Sequence, residues 1–470
     1  MEQKNIFSNL SPLDHRYYLA NRELFDRLAA YLSEEASLRY CAAVEGALLR
    51  THMELLGLDP AGAEGLEGSL DPKEVYREEE KTRHNIRALV NVIKKKIPPE
   101  LGRLVHLGAT SADILDTASA MRYRDVCREV LLPLLLEIEE SLAGLVEKHA
   151  AVPQVGRTHG QHAVPLTLGY ALGEFLVRLG ESVKRIDTLS RDLRGKLSGA
   201  VGAYNALSLI VSDPEGLEKA CLAKVGLTPA PHSTQIVEPE YLLRLLLEIN
   251  IAFGILANLA DDLRHLQRTE IGEVREFFSA DQVGSSTMPQ KRNPWNSEHV
   301  KSLWKAFSPR IMTFYMDQIS EHQRDLSNSA SARFVADYLA GFAAAAARMK
   351  DILKGLSVED QALRNNLKQT GDLVLSEAAY ILLSARGESH AHEIIRRLTL
   401  KCEHNRTSLA EELTKDQKVF DLVDEQLHKT CGGSAGVFFS RPEHYTGLSV
   451  KKARRLAREY RRLIAKLKER

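Results

Sequence analysis

The chain has little cysteine, few aromatic residues and no excess of charge of either sign. Its five cysteines (Cys41, Cys127, Cys221, Cys402 and Cys431) are odd in number and form no C-x-x-C pair. That excludes a disulfide framework or a zinc knuckle, and it fits thiols used as small core residues in a reducing, cytoplasmic setting. Lys+Arg and Asp+Glu balance at 63 each, so the chain as a whole is not built for nucleic acid or for a membrane surface. No unbroken run of about 18 apolar residues is present, and residues 1–10 are polar without an apolar signal core, so no membrane-spanning segment is expected. Walker loops, dinucleotide G-x-G-x-x-G turns and H-E-x-x-H helices are all missing, which leaves no expected cofactor and no expected metal. Strand signals are nearly absent as well. The strand-like pieces at 235–237 and 437–439 are too short to found a sheet domain.

What is present is helical periodicity. Apolar residues make up 44% of the 470 residues and charged residues 27%, a globular composition too long for one core, so two or three domains are expected. Across residues 114–146, Leu115, Ala118, Met121, Val126, Val130, Leu134, Ile138, Leu142 and Leu145 recur at helical spacing, as one face of a helix requires. Residues 168–189 repeat the pattern more cleanly, residues 242–263 are apolar on more than one face, and residues 331–356 form a fourth, alanine-rich helix. Glycine and proline collect between these segments, at 59–72, 98–108, 151–165, 226–231 and 284–294, marking loops. The fold class is all-α, in three consecutive parts: residues 1–107, a central long-helix bundle over 108–358, and a smaller helical part over 359–470. Half of residues 451–470 are Lys or Arg; a solvated helix face explains this, with binding of an acidic partner as the alternative.

Three loops carry chemistry. Segment 284–294 reads Gly-Ser-Ser-Thr-Met-Pro-Gln-Lys-Arg-Asn-Pro, a donor-rich loop able to fold over an anion. An ordinary solvated loop would carry such residues too. Segment 156–165 holds His159 and His162 three apart, a spacing open to a metal role, for which no third ligand is obvious, or to a structural hydrogen-bonding one. Segment 106–113, His-Leu-Gly-Ala-Thr-Ser-Ala-Asp, precedes a long helix. It reads as an N-cap, which is compatible with holding an anion.

Together and in this order, the three loops resemble the signature regions of the fumarase/aspartase superfamily. Segment 284–294 matches its G-S-S-x-M-P-x-K-x-N-P pattern at every fixed position. Within the superfamily, Lys291-Arg292-Asn293, the R-T-H-G-Q-H-A run at 157–163 and the 106–113 segment are similar to the adenylosuccinate lyase branch. Gln290 is more typical of argininosuccinate lyases, which stand as the alternative together with other superfamily eliminases. The run at 431–436, Cys-Gly-Gly-Ser-Ala-Gly, reads as a plain turn.

The resemblance implies an elimination releasing fumarate from an N-succinyl purine nucleotide. It makes Ser285 the general base, His159 the general acid, Lys291 a stabiliser of the dianionic intermediate and Glu298 the partner that orients His159. It gives Thr110, Ser111, Thr158 and Gln235 to the succinyl carboxylates, with Ser286, Met288 and Asn293 from the loop and His84 against the substrate. Asn85 departs from an acidic residue at its position. Arg16, Tyr17, Arg324, Ser329 and Arg333 fall to the nucleotide and its phosphate, since guanidinium groups pair bidentately with phosphate oxygens. The resemblance further implies a homotetramer whose active sites are shared among subunits, with no cofactor, no nucleic acid and no membrane.

Overall fold

The computed structural model describes residues 5–279 and 284–469. Residues 1–4, part of the polar N-terminal stretch, and Arg470, the end of the basic tail, lie outside the described residues. In chain order the long helices are α1 (Glu34–Leu55), α2 (Ser111–Val126), α3 (Leu132–Lys148), α4 (Leu168–Arg191), α5 (Glu240–Leu266), α6 (Val335–Lys354) and α7 (Ser449–Lys468). Three of the four periodic segments thus fold as continuous helical stretches. The fourth is interrupted at Phe334: residues 329–333 form a short separate helix, and α6 starts at Val335.

Helices α2 and α3 run on through a single π-helical stretch, Cys127–Leu131. The five-residue step from Met121 to Val126 in the apolar stripe is the sequence trace of that wider turn. Pro133 has no N–H to offer the turn before it, and the carbonyl of Glu129, four residues earlier, accepts from the Arg27 guanidinium at 2.6 Å. The proline is therefore tolerated inside the stretch.

The chain divides into two compact units. The first comprises residues 1–136, 181–256 and 300–348; the second comprises 137–180, 257–299 and 349–470. In the first unit, α1 is capped by Ser33 Oγ, which accepts from the Ala36 N–H at 3.1 Å. It packs on α2, and Val44, Leu48, Ala118 and Met121 on the two helices are buried, each large side chain contributing about 1.5–3 kcal/mol by leaving water. Phe253 of α5 meets Phe342 of α6 edge to face, with centroids 5.4 Å apart.

Helix α5 is the apolar segment seen at 242–263. Although no unbroken apolar run is present, this helix is long and apolar enough to cross a bilayer, and 61% of its most apolar window is buried within the protein.

The second unit has its own core, including Leu375, Leu383, Ile395, Leu409, Val423 and Phe439. Residues 435–439 are helical, so the strand-like piece at 437–439 is a helix end. The turn expected at 431–436 starts at Gly432, whose φ of 67° closes the preceding helix. Helix α7 buries Ala453, Ala457, Tyr460 and Ile464 and leaves its basic side chains outward, where Lys468 pairs with Glu140 at 2.8 Å.

The largest departure from the sequence reading is at 151–165, expected as a loop. It is an antiparallel hairpin of β1 (Pro153–Thr158) and β2 (Gln161–Thr167), with a register shift between Val155 and Arg157. Gly156 sits in that irregularity, where an added Cβ would lie 2.5 Å from the Val164 carbonyl oxygen.

Candidate active site

Within the first unit, a cavity of about 1070 Å³ gathers His84, Asn85, Thr110, Ser111, Gln235, Arg324, Ser329 and Arg333. These residues are far apart in sequence, and the fold brings them to one cavity. Thr110 caps α2, where Asp113 Oδ2 accepts from the Thr110 N–H at 2.8 Å, one half of a capping box. Ser111 Oγ lies 3.4 Å from His84 Nε2, while His84 Nδ1 accepts from the Arg87 N–H at 3.2 Å and so caps its own helix. Gln235 is held from the arginine side, its N–H donating to the Gln323 carbonyl at 3.4 Å. The first N–H groups of α2 and the guanidinium groups of Arg324 and Arg333 offer donors for anions here, in a lining that also carries carboxylates such as Asp116 and Asp325. Arg16 and Tyr17, on a short helix from Arg16 to Ala20, do not line it.

Sequence reasoning missed two groups on the cavity wall. Asp116 accepts from the Val237 N–H at 3.0 Å; burial pushes its carboxyl up to about 6, with Val237 and Arg324 working against that rise. Tyr76 is pushed up to about 12 by burial and by Glu34, with Arg333 opposing. The i, i+3 spacing of Asp113 and Asp116 just past Thr110 was the available signal.

The second unit carries the remaining set. His159 and Gly160 form the two-residue tip of the hairpin, with φ of 54° and 73°. Such a tip needs a left-handed backbone at both positions, and His159 is an uncommon occupant. The turn leaves Thr158 and His159 exposed. Behind them the hairpin is anchored on Glu273, which is fully buried. Arg157 Nη1 and Nη2 donate to the two Glu273 oxygens at 3.2 and 2.6 Å. Gln154 and Asn366 donate to the same carboxylate at 2.7 and 2.8 Å. His162 is not at the tip: its Nδ1 lies 2.6 Å from Thr370 Oγ1, and burial, then the Arg157 charge, lower its pKa. That contact ties the hairpin to Thr370.

In the 284–294 loop, Ser285 Oγ accepts from the N–H groups of Thr287 and Met288 at 3.3 and 3.1 Å. Two donors on that oxygen favour its anionic form. Asn293 Nδ2 donates to the Gly284 carbonyl at 3.0 Å and closes the loop. A Cβ on Gly284 would lie 2.2 Å from the Lys291 carbonyl oxygen, so the closure needs glycine. Ser286, Met288 and Lys291 are exposed. Glu298 stands exposed in the first turn of the helix Trp295–Phe307; no hydrogen bond or ion pair joins it to His159 among the described residues.

A family model described as lyase matches residues 32–306, and one described as adenylosuccinate lyase C-terminal matches residues 320–431. The chain is 30% identical over 469 residues to the adenylosuccinate lyase of Pyrococcus horikoshii, covering 98% of this chain and 99% of that protein. It is 31% identical to that of Archaeoglobus fulgidus (95% and 98% covered) and 33% identical to that of Aquifex aeolicus (76% and 81%). Among solved structures, the 3-carboxy-cis,cis-muconate lactonizing enzyme of Pseudomonas putida superposes with a TM-score of 0.78 at 26% identity, covering 96% of this chain and all of that one. A fumarate lyase from Mesorhizobium sp. BNC1 shares the fold with a TM-score of 0.77 at 22% identity, covering 92% and 97%. With relatives matched end to end and both family models in place, the chain belongs to the adenylosuccinate lyase family of the fumarase/aspartase superfamily.

Proposed function

We propose that the chain eliminates fumarate from adenylosuccinate to give AMP. With the same contacts it would convert succinylaminoimidazole carboxamide ribonucleotide to AICAR. The observation that carries this reading is the placement of Arg324 and Arg333 in one cavity with Thr110, Ser111 and Gln235. A lyase for a simple dicarboxylate has no use for two guanidinium groups beyond the succinyl contacts.

The chemistry starts with a proton on carbon next to a carboxylate, whose loss makes a dianionic intermediate. Ser285 Oγ takes that proton, its anionic form supported by the Thr287 and Met288 N–H groups. Lys291 stabilises the dianion; one preorganised donor of this kind is worth about 10²–10³ in rate. The C–N bond then breaks, its electron pair leaves on nitrogen, and His159 supplies the proton that nitrogen needs. Glu298 orients the imidazole and supports its charged form. Thr110, Ser111, Thr158 and Gln235 hold the succinyl carboxylates, with Ser286, Met288 and Asn293 beside them and His84 and Asn85 against the substrate. Arg16, Tyr17, Arg324, Ser329 and Arg333 take the nucleotide. The three consecutive parts, 1–107, 108–358 and 359–470, are the proposed domains. The protein works in the cytoplasm as a homotetramer whose active sites draw on more than one copy: the cavity's lining comes entirely from the first unit, while His159, Ser285, Lys291 and Glu298 belong to the second.

Purified protein given adenylosuccinate and, separately, argininosuccinate tests the assignment. Fumarate and AMP form in equal amounts from the first, and Ser285→Ala lowers kcat by about 10²–10⁴, as expected for loss of a general base. Fumarate from argininosuccinate alone would overturn the substrate and turn attention to Gln290.

A further inference from the structure

Behind the cavity wall lies an ion pair that no step above uses. Asp113 and Lys196 are both fully buried, and the Lys196 ammonium donates to Asp113 Oδ1. Burying two charges is costly unless every lone pair and proton finds a partner. Here the pair is embedded in further contacts. Asp113 accepts from the N–H groups of Thr110 at 2.8 Å, Ser198 at 3.1 Å and Gly199 at 3.2 Å. Lys196 Nζ also donates to the Gly199 carbonyl at 3.2 Å.

The pair's neighbours lead to both succinyl contacts. In one direction Asp113 fixes the Thr110 backbone, and with it the Thr110–Ser111 cap. In the other, the 196–202 segment wraps the pair and passes its position on: Ser198 Oγ lies 2.7 Å from Ser233 Oγ, two residues before Gln235. Gly202 approaches the same strip so closely that an added Cβ would lie 2.0 Å from the Ser233 carbonyl oxygen. One turn further along α2, Asp116 holds the Val237 N–H on the other side of Gln235. The segment bearing Gln235 is therefore fastened to α2 at both ends.

We infer that Asp113 and Lys196 are positioning residues that set the distance between the Thr110–Ser111 cap and Gln235, and so the fit of the pocket to a four-carbon dicarboxylate. The pair touches no substrate; it acts through the groups that do. It rests on the proposed succinyl site, and it predicts that disturbing the pair weakens the dicarboxylate end of the ligand while sparing the phosphate end. A merely structural pair would weaken both ends alike or only lower the melting temperature.

The test separates the two ends with the two products. Lys196→Met keeps the length and removes the charge. In this variant, direct binding of fumarate, read by calorimetry, weakens about tenfold, a change of about 1.4 kcal/mol, while AMP affinity stays within about twofold. kcat/KM for adenylosuccinate falls by about 100-fold, the loss a misplacement of about 1 Å produces. Ser198→Ala leaves the pair intact and removes only the hydroxyl bridge; it shows the same split at smaller size, and it stands in if Lys196→Met does not fold. Equal weakening of fumarate and AMP, or a lower melting temperature with binding and kinetics unchanged, overturns the inference. Because fumarate and AMP binding are read without turnover, a wild-type protein inactive on adenylosuccinate would count against the substrate assignment and leave this result readable.

Discussion

Among single residues, Glu139 on α3 is a carboxyl that no role in the site absorbs. It is 1% exposed, neither oxygen has a hydrogen-bond partner among the described residues, and burial holds its pKa well above the usual carboxylate range. A buried carboxyl without partners stays protonated, because ionising it in that environment is costly. In the unfolded chain the same group ionises near pH 4.3. Above that value the unfolded state releases a proton that the folded state keeps, so stability falls as pH rises towards the raised folded value. Glu139→Gln removes this dependence. Melting curves of the two proteins should coincide near pH 4 and separate towards pH 8, with the variant the more stable; parallel curves across that range would show that Glu139 ionises normally. Ser285 stands at the other extreme of legibility. Its motif identified it in the sequence, but the two backbone N–H groups on its oxygen belong to a turn geometry that no residue type announces.

At the scale of elements, the helices were legible because their apolar residues recur with the turn, and even the π-helical stretch left its five-residue step. The hairpin that presents His159 was not. Its strands contain Pro153, Gly156 and Pro165, all of which read as loop, and its anchor, Glu273, lies more than a hundred residues away. The pairing is held by long-range contacts at that buried carboxylate rather than by strand propensity, which is weak and set by context. Glu273→Ala removes the acceptor for Arg157, Gln154 and Asn366 together. Breaking such a buried pair costs about 3–5 kcal/mol, measurable as a lower urea midpoint. The hairpin tip loses its support at the same time, so kcat falls by more than KM rises. A loss of stability with kcat unchanged would separate the hairpin from the acid step. The break at Phe334, between residues 329–333 and α6, was equally hidden, since alanine-rich helical periodicity continues on both sides of it.

At the scale of the whole molecule, sequence motifs named the proposed site residues but not their grouping. The cavity of the first unit holds the proposed contacts for succinyl and phosphate groups, and the second unit holds the hairpin tip and the serine loop. Both are presented by the same chain, and the proposed tetramer supplies them to each active site from different copies. The most direct measurement of that claim mixes two inactive proteins. Ser285→Ala lacks the proposed base, and Arg324→Ala lacks a proposed phosphate contact. When the two are mixed, dissociated and reassembled, fumarate release from adenylosuccinate should reappear, because some sites then combine an intact loop with an intact cavity. Mixed assemblies, verified as such, that remain as inactive as either parent would contradict an active site built from more than one copy.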